Sequence, residues 1–207
     1  MATLKLGSTT AISESSGAIT IPNITSGTIG TGVTLSGQTW QKIGSATFSD
    51  SSLVILGQNL GSYRIHKLYV YSKPATTNGS LNLNLRVKIG DTWNESNEYC
   101  WVTKYLRSNS GTLTTNYTND AVDYYKLTFD SARSDNHVCS SIEFHNAVSA
   151  RHTAINAETV GLNHDGDKRM IGGVVHGMLV NNGVVNDIRI WPQSSTISGG
   201  WELYGIL

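Results

Sequence analysis

Hydrophobic and polar residues alternate with a period of two in many short segments of this chain, which is the pattern of a β-strand with one buried face. The clearest segment is LNLNLRVKI at residues 81–89, which follows turn-forming residues at 74–79. One face would carry only apolar residues and the other only polar ones: Leu81, Leu83, Leu85, Val87 and Ile89 against Asn82, Asn84, Arg86 and Lys88. The segment therefore predicts an antiparallel strand with one buried face.

Similar but noisier segments recur along the chain, separated by glycine and hydroxylated residues. They are SLVILG, YRIHKLYVYS, EYCWVTKYL, DYYKLTFD, SSIEFHNAV, GGVVHGMLV, VVNDIRIWP and GWELYGIL. The segment SARHTAINAETVGL could be a helix, but its apolar spacing is poor and favours a strand or an irregular crossing. Many short strands separated by turns predict an all-β protein, an antiparallel β-sandwich of the jelly-roll type.

The first 37 residues differ from the rest of the chain. They contain no aromatic residue and no histidine, with one Lys and one Glu, and the first aromatic residue is Trp40. We interpret residues 1–37 as an extended arm that docks on its own domain or on a partner subunit, and residues 38–207 as the β-sandwich domain. The docking residues would be Leu4, Leu6, Ile12, Ile19, Ile21 and Ile24. The alternative is a disordered leader, although disordered segments are usually poorer in Ile and Leu.

The charge and the hydrophobicity of the chain argue against a nucleic-acid-binding protein and against a protein that inserts into a membrane. Charged residues make up 14 % of the chain, below the usual quarter or so, and fifteen positive side chains balance fifteen negative ones. Without a basic patch we expect no nucleic-acid partner. The longest aliphatic run, LVIL at 53–56, is too short to cross a bilayer, so we expect no membrane insertion, and no signal peptide is visible. Low charge suits a subunit of an assembly.

The two cysteines, Cys100 and Cys139, carry little information by themselves. We expect two buried free thiols, because a disulfide would require their strands to be neighbours.

Signatures of catalysis and of cofactor binding are absent or weak. The segment GTIGTGVTLSG lacks the spacing of a dinucleotide-binding loop, and six histidines are scattered without metal-ligand spacing. Asp165 and Asp167 lie in NHDGDKR, which has too few acidic ligands for a calcium loop. A glycosidase would need two facing carboxylates, and the sequence does not place its candidates together: Glu95, Glu98, Asp120 and Asp123. We therefore expect no enzyme, no cofactor and no metal site.

Five Trp and nine Tyr against three Phe bias the aromatic content towards rings with a polar tip. Trp93, in the polar segment GDTWNESNE, is the best candidate for an exposed glycan contact, followed by Tyr117 in TTNYTND. The alternative is that each ring merely covers the end of a sheet.

The chain ends on WELYGIL, which we interpret as a closing strand of a sheet. Trp201, Leu203, Gly205 and Leu207 would form one face, opposite Glu202, Tyr204 and Ile206. Both faces carry apolar groups, which predicts cover on each side. The turn at residues 198–200 would fold this strand back against VVNDIRIWP.

Three segments carry a resemblance to structural proteins of phages. ATLKLGSTTAISESSGAITIPN resembles the leader of many such proteins, particularly of marine and cyanobacterial phages. LGQNLGSYRIHKLYVYSKPATTNGSLNLNLRV resembles the first strands of a tail-fibre or tailspike tip domain. NDIRIWPQSSTISGGWELYGIL resembles the closing hairpin of the same domain, through Ile197, Gly199, Gly200, Leu203, Tyr204, Gly205 and Ile206. Residues 91–180 are only loosely similar.

The resemblance implies a β-sandwich that forms a homotrimer on a virion. A short arm followed by one domain fits a capsid cement (decoration) protein, which would bind the major capsid protein on the outer surface of the capsid after synthesis in the host cytoplasm. The alternative is a short tail fibre or fibre tip that recognises host glycans and binds other tail components. Either role could include weak contact with the host surface. The work of such a protein is multivalent buried area and needs no reacting group.

Overall fold

A computed structural model describes residues 3–6, 9–15, 18–20, 40–58, 60, 63–74, 82–107, 111, 113–118, 121–128, 137–145, 147, 152–162 and 170–206. Within these ranges the chain forms strands and turns, and no helix. No helix of the described residues is long and apolar enough to cross a membrane. The chain divides into two units, residues 1–37 and 38–207.

Sixteen strands lie in these described ranges, numbered in chain order. Three belong to the first unit: β1 (Thr3–Leu6), β2 (Thr9–Ser15) and β3 (Ala18–Thr20). The others belong to the second unit: β4 (Gln41–Ser51), β5 (Val54–Ile55), β6 (Ile65–Pro74), β7 (Leu83–Ile89), β8 (Thr92–Trp93), β9 (Tyr99–Arg107), β10 (Leu113–Tyr117), β11 (Tyr125–Lys126), β12 (Val138–His145), β13 (Thr153–Leu162), β14 (Met170–Leu179), β15 (Val185–Pro192) and β16 (Ile197–Ile206).

The strands of the first unit hydrogen-bond to one another in the order β1-β2-β3, both pairs antiparallel. In these segments the backbone is paired within the unit, which differs from a single extended arm. Ile21 and Ile24 lie outside the described residues, as do the side chains of Leu4, Leu6, Ile12 and Ile19. Docking through these six residues stays a prediction.

The second unit contains a larger sheet of eight antiparallel strands in the order β10-β9-β14-β13-β12-β6-β16-β4. The segment SARHTAINAETVGL contributes β13, so the preference for a strand over a helix is confirmed. A smaller antiparallel sheet has the order β11-β7-β15-β5, with β8 also paired to β7. The prediction of an all-β, antiparallel protein is confirmed.

The two sheets of the second unit share one hydrophobic core. The alternation predicted for β7 is observed in part, since Leu83, Leu85 and Val87 are fully buried, whereas Asn84 of the other face is buried as well and Ile89 is only half-buried. The three fully buried residues belong to the same cluster as the inward-facing residues of the larger sheet, among them Leu68, Ile142, Phe144, Ile155, Val175 and Leu203. Burial of apolar surface in this layer contributes about 25 cal/mol for each Å² and is the main favourable contribution to the stability of the fold.

Two buried tyrosines hydrogen-bond across this core. The Tyr125 hydroxyl, on the smaller sheet, lies 2.8 Å from the carbonyl oxygens of both Ile155 and Val175 in the larger sheet. Tyr99 belongs to the larger sheet, and its hydroxyl accepts a hydrogen bond of 3.0 Å from the Val87 amide in the smaller sheet. Burial raises the pKa of Tyr99 to about 12, and it raises the pKa of Tyr125 further. Both phenols are therefore neutral at physiological pH, as a core position requires.

The C-terminal strand corrects one prediction. The sequence predicts that β16 folds back against VVNDIRIWP, but that segment is β15 of the smaller sheet, whereas β16 lies in the larger sheet between β6 and β4. Trp201, Leu203 and Gly205 are buried, while Glu202, Tyr204 and Ile206 are half-buried. The alternation of faces is as predicted, and Leu207 lies outside the described residues. Residues 198–200, predicted as a turn, belong to β16 itself, and the outer face of the strand is only half-buried, so full cover on both sides is not observed among the described residues.

A second prediction that the structure corrects concerns the two cysteines. Cys100 and Cys139 are free, as expected, but Cys139 is exposed and Cys100 is half-buried, so the expectation of two buried thiols is wrong. Cys100 lies on β9 and Cys139 on β12, with β14 and β13 between them. Both cysteines occupy outward-facing positions of their strands. The alternation of residues along β9 and β12 did not show which face of each strand points to solvent.

Candidate functional site

The structure separates the two aromatic residues predicted as glycan contacts. Trp93 lies on β8 of the smaller sheet, where its ring is half-buried under the guanidinium of Arg189, 4.7 Å from the ring centroid. Tyr117 lies on β10, at one edge of the larger sheet, with 67 % of its surface exposed. The two rings do not form one site.

Trp93 instead belongs to a group of stacked side chains on the outer face of the smaller sheet. We call Arg86, Arg189, Trp93 and Trp191 the arginine–tryptophan ladder. Arg86 and Arg189 are cross-strand partners on β7 and β15. Arg86 lies 4.9 Å from the centroid of Trp191, while Arg189 contacts Trp93 and lies 5.7 Å from Trp191.

Two carboxylates balance the two adjacent guanidinium groups of the ladder. Glu95 accepts hydrogen bonds from Arg189 at 2.5 Å and from Arg86 at 3.4 Å, and Asp123 forms an ion pair with Arg86. The Arg189 guanidinium, with a smaller contribution from Arg86, lowers the pKa of Glu95. A carboxyl group held ionised in this way is unsuited to act as a general acid at neutral pH. The ladder is therefore charge-balanced, with two guanidinium groups against two carboxylates, and its stacking contacts stabilise the smaller sheet.

The outer face of the larger sheet contains a depression of about 600 Å³. Its floor is β12, where Cys139 and Ser141 have short side chains. One wall is Tyr69 and Tyr71 on β6, and the other is formed by residues of β13 and β14. Cys139 is the cross-strand partner of Tyr71, and Ser141 is the partner of Tyr69. We call this feature the β12 depression, and it exists because short side chains separate two rows of longer ones.

The Tyr71 ring leans away from the β12 depression, over Gly200 of β16. These two residues are cross-strand partners, and a side chain at position 200 would collide with the Tyr71 ring. Gly200 therefore provides the space that keeps the floor at Cys139 uncovered.

A smaller cavity of about 150 Å³ adjoins the β12 depression and shares Ser141 and Glu158 with it. Its lining is more polar. Lys67 donates to Glu143 at 2.8 Å, and His176 Nδ1 lies 3.0 Å from Asn156 Oδ1. Lys67 lowers the pKa of Glu143 and Glu143 raises that of Lys67, each mainly through this hydrogen bond, so the pair stays charged over a wide pH range.

The remaining candidates do not assemble into a reactive group within the described residues. Glu95 and Asp123 both contact Arg86. Asp120, Asp165, Asp167 and His164 lie outside the described residues. In the described part of the chain no three His, Cys, Asp or Glu side chains are placed to hold a metal ion.

The sequence interpretation missed both the ladder and the β12 depression. The sequence contains one sign of the ladder, because Arg189 and Trp191 are two residues apart and so share a face of one strand. Only the pairing of β7 with β15 places them beside Arg86. The β12 depression had a weaker signal in Tyr69 and Tyr71, spaced two apart in YVYS. Only the sheet order shows that Cys139 and Ser141 lie beside them.

Comparisons with protein-family models, with curated proteins and with solved structures find no match to this chain. Inferences on function therefore rest on the residues and on their arrangement.

Proposed function

We propose that the chain is a phage virion structural protein, a homotrimeric capsid cement protein whose second unit is a jelly-roll β-sandwich. The observation that supports assembly is a row of exposed apolar side chains on the larger sheet. Leu113 and Leu106 are cross-strand partners, Gly172 separates them from Val160, and Met170 follows on the same face of β14. We call these four apolar residues the apolar strip.

About half of the surface of each residue in the apolar strip is exposed. Leu106, Leu113 and Val160 expose 49, 47 and 45 % of their surface, and Met170 exposes 56 %. Exposed apolar residues on neighbouring strands, unlike scattered single residues, are typical of a surface that another protein covers. Contact between copies of the chain through this strip would remove it from water, and repeated weak contacts over a capsid would add up to firm attachment.

Copy number tests the location on the particle. In purified virions, quantified on a protein gel against the major capsid protein, a cement protein is expected at hundreds of copies and a tail component at a few dozen or fewer. A low copy number would overturn the capsid assignment and leave the tail alternative.

Deleting residues 1–37 tests the role of the first unit. Because the second unit contains its own core, the truncated chain is expected to remain a folded trimer and to lose binding to capsids in a co-sedimentation assay. Capsid binding equal to that of the full chain would show that the first unit is not the capsid contact.

The second candidate is a short tail fibre or fibre tip that binds host glycans. The observation that favours it is Tyr117, the most exposed aromatic residue in the described part of the chain. An exposed ring at the edge of a sheet can stack on a sugar. A glycan array with Tyr117→Ala as the comparison would test this role, and equal binding by both proteins would argue against Tyr117.

A further inference from the structure

The larger sheet ends on β10 and β4, and each of them pairs with a neighbour on one side only among the described residues. An open edge presents backbone N–H and C=O groups that can pair with another strand, and proteins usually block it with bulges, charges, proline or very short strands. The pairing of β4 with β16 contains two register shifts, and Lys42 adds a charge. The smaller sheet ends on β11 and β5, which have two residues each. These three edges are therefore protected.

The edge strand β10 has none of these features. It pairs with β9 in unbroken register over all of its five residues, which is an ordinary strand length. Its sequence, LTTNY, contains no charged residue, no proline and no glycine. Leu113 and Tyr117, at its two ends, are both exposed. β10 is thus a regular, neutral edge to which a further strand can be added.

Hydrogen bonds to β9 show which backbone groups of β10 point to the open edge. The Thr118 amide donates to the Trp101 carbonyl at 3.0 Å, and the Asn116 carbonyl accepts a hydrogen bond of 3.4 Å from the Thr103 hydroxyl. In an antiparallel ladder, successive residues point their N–H and C=O groups alternately to one side and to the other. The residues whose backbone groups point away from β9 are therefore Leu113, Thr115 and Tyr117.

We propose that β10 pairs with β10 of a second copy of this chain, antiparallel and about a two-fold axis at Thr115. In this register Thr115 lies opposite Thr115 of the second copy, and Leu113 lies opposite Tyr117. Every outward-pointing N–H and C=O group of the three residues then has a partner. An axis at Thr114 would leave Tyr117 without a partner in β10, and an axis at Asn116 would leave Leu113 without one.

The side chains also match in this register. Leu113 would lie beside Tyr117 and Thr115 beside Thr115, and such aliphatic–aromatic and Thr–Thr pairs stabilise antiparallel strands. Lys104, the partner of Thr115 on β9, would lie three strand spacings from its copy, about 14 Å, which exceeds the screening length of about 10 Å in 0.1 M salt. The edge is therefore complementary to itself in hydrogen bonds, in shape and in charge, which favours a second copy as its occupant.

This contact goes beyond the proposed function and does not rest on it. Its hydrogen bonds lie in the plane of the sheet, whereas the apolar strip would be covered from above the outer face. A single pair of five-residue strands buries less than the roughly 1,200 Å² of a stable complex. We therefore expect weak association by itself, which becomes firm where several copies are held together.

Cysteine cross-linking traps a weak contact of this kind. In the full-length chain carrying Thr115→Cys, the paired Cα atoms would lie about 5.5 Å apart, within the range of a disulfide. Mild oxidation should give a covalent dimer, and peptide mapping should locate the link between the two residues 115, apart from any link through Cys100 or Cys139. Ser45→Cys, an exposed position on the other edge strand, should give about tenfold less dimer. Equal yields, or no link at residue 115, would overturn the proposal.

The register has a separate test. Leu113→Cys alone and Tyr117→Cys alone should form little disulfide dimer, because each residue would lie opposite the other type. An equimolar mixture of the two variants should form a dimer that links residue 113 to residue 117. Self-linked dimers as abundant as the mixed one would overturn the two-fold register.

Opposite charges at the axis provide a test without cysteines. Thr115→Lys and Thr115→Glu should each weaken self-association about fivefold in sedimentation experiments, because two like charges would lie directly opposite each other. An equimolar mixture of the two variants should restore it. Thr115 lies outside the apolar strip, so the difference between the mixture and the single variants measures the β10 contact and not the trimer. A mixture that associates no more than either variant would show that the two Thr115 residues do not face each other and would overturn the proposal.

Discussion

The two outer faces of the second unit use charged and aromatic residues in opposite ways. On the smaller sheet, Arg86 and Arg189 are stacked between tryptophans and balanced by Glu95 and Asp123. On the larger sheet, Lys67 is balanced by Glu143 and lies over Tyr69, but the floor beside them is uncovered and Glu158 has no ion-pair partner among the described residues. A face whose groups satisfy one another contributes to stability, whereas a face with unsatisfied groups and exposed apolar area is available for binding. We therefore expect the outer face of the smaller sheet to contribute mainly to stability and that of the larger sheet to binding.

Removing residues 201–207 should have the largest effect, because it removes half of the strand that joins β6 to β4 in the larger sheet. Trp201 and Leu203 would be lost from the core. We expect no soluble folded protein, measured by expression yield and circular dichroism, whereas a chain lacking only Leu207 should fold. A soluble, assembling truncation would show that β16 is dispensable and that the larger sheet is not one continuous layer.

Low pH should destabilise the second unit by protonating His66. This residue of β6 points into the core between the two sheets and is fully buried. Burial lowers its pKa from 6.5 to about 4, although the contact of Nε2 with the Leu60 carbonyl at 3.0 Å opposes this shift. Between these two values the unfolded chain binds a proton that the folded chain does not. The free energy of unfolding should therefore fall by up to about 3 kcal/mol as pH decreases from 6.5 to 4.

Urea unfolding at several pH values in this window measures the effect. His66→Phe keeps a ring and should have a flatter pH dependence, while both outer faces keep their residues. The same slope in both proteins would assign the pH dependence to other groups.

Breaking the ladder should cost less. Arg86→Ala removes the cation stacked on Trp191 and leaves Asp123 without its ion-pair partner, so we expect a loss of about 1–2 kcal/mol in thermal or urea unfolding. Lys104→Ala, which removes an exposed cation from the larger sheet, should change stability by at most about 0.5 kcal/mol. Equal effects would remove the distinction between the faces.

The smallest effect on stability is expected in the apolar strip. Leu106→Ser should change the free energy of unfolding by at most about 0.5 kcal/mol, because about half of this side chain is already in water. In analytical ultracentrifugation, the same variant should shift the trimer towards monomer. A large loss of stability with unchanged assembly would make the strip part of the fold and not an interface.

Much of the fold was predictable from local patterns. The alternation in LNLNLRVKI correctly predicted that Leu83, Leu85 and Val87 of β7 are buried, although Asn84 is buried as well, and the hydroxylated, glycine-rich composition correctly indicated that the described segments are not helical. Three strands of the second unit were missed, namely β4, β8 and β10, and the three strands of the first unit were interpreted as one extended arm. β4 and β10 are edge strands whose side chains are mostly exposed or half-buried, and β8 has only two residues, so none has a clear period of two. Edge strands need only one partner and bury little, which weakens their sequence signal.

The sequence by itself determined which residues share a face, because successive side chains of any strand point to opposite sides. Tertiary structure alone decided which strands are neighbours. That pairing moved β16 into the larger sheet, set β13 and β14 between the two cysteines, and placed Ser141 between Tyr69 and Glu158. Such pairings join residues far apart in the chain and depend on how the whole core is filled, so a local period of two does not encode them.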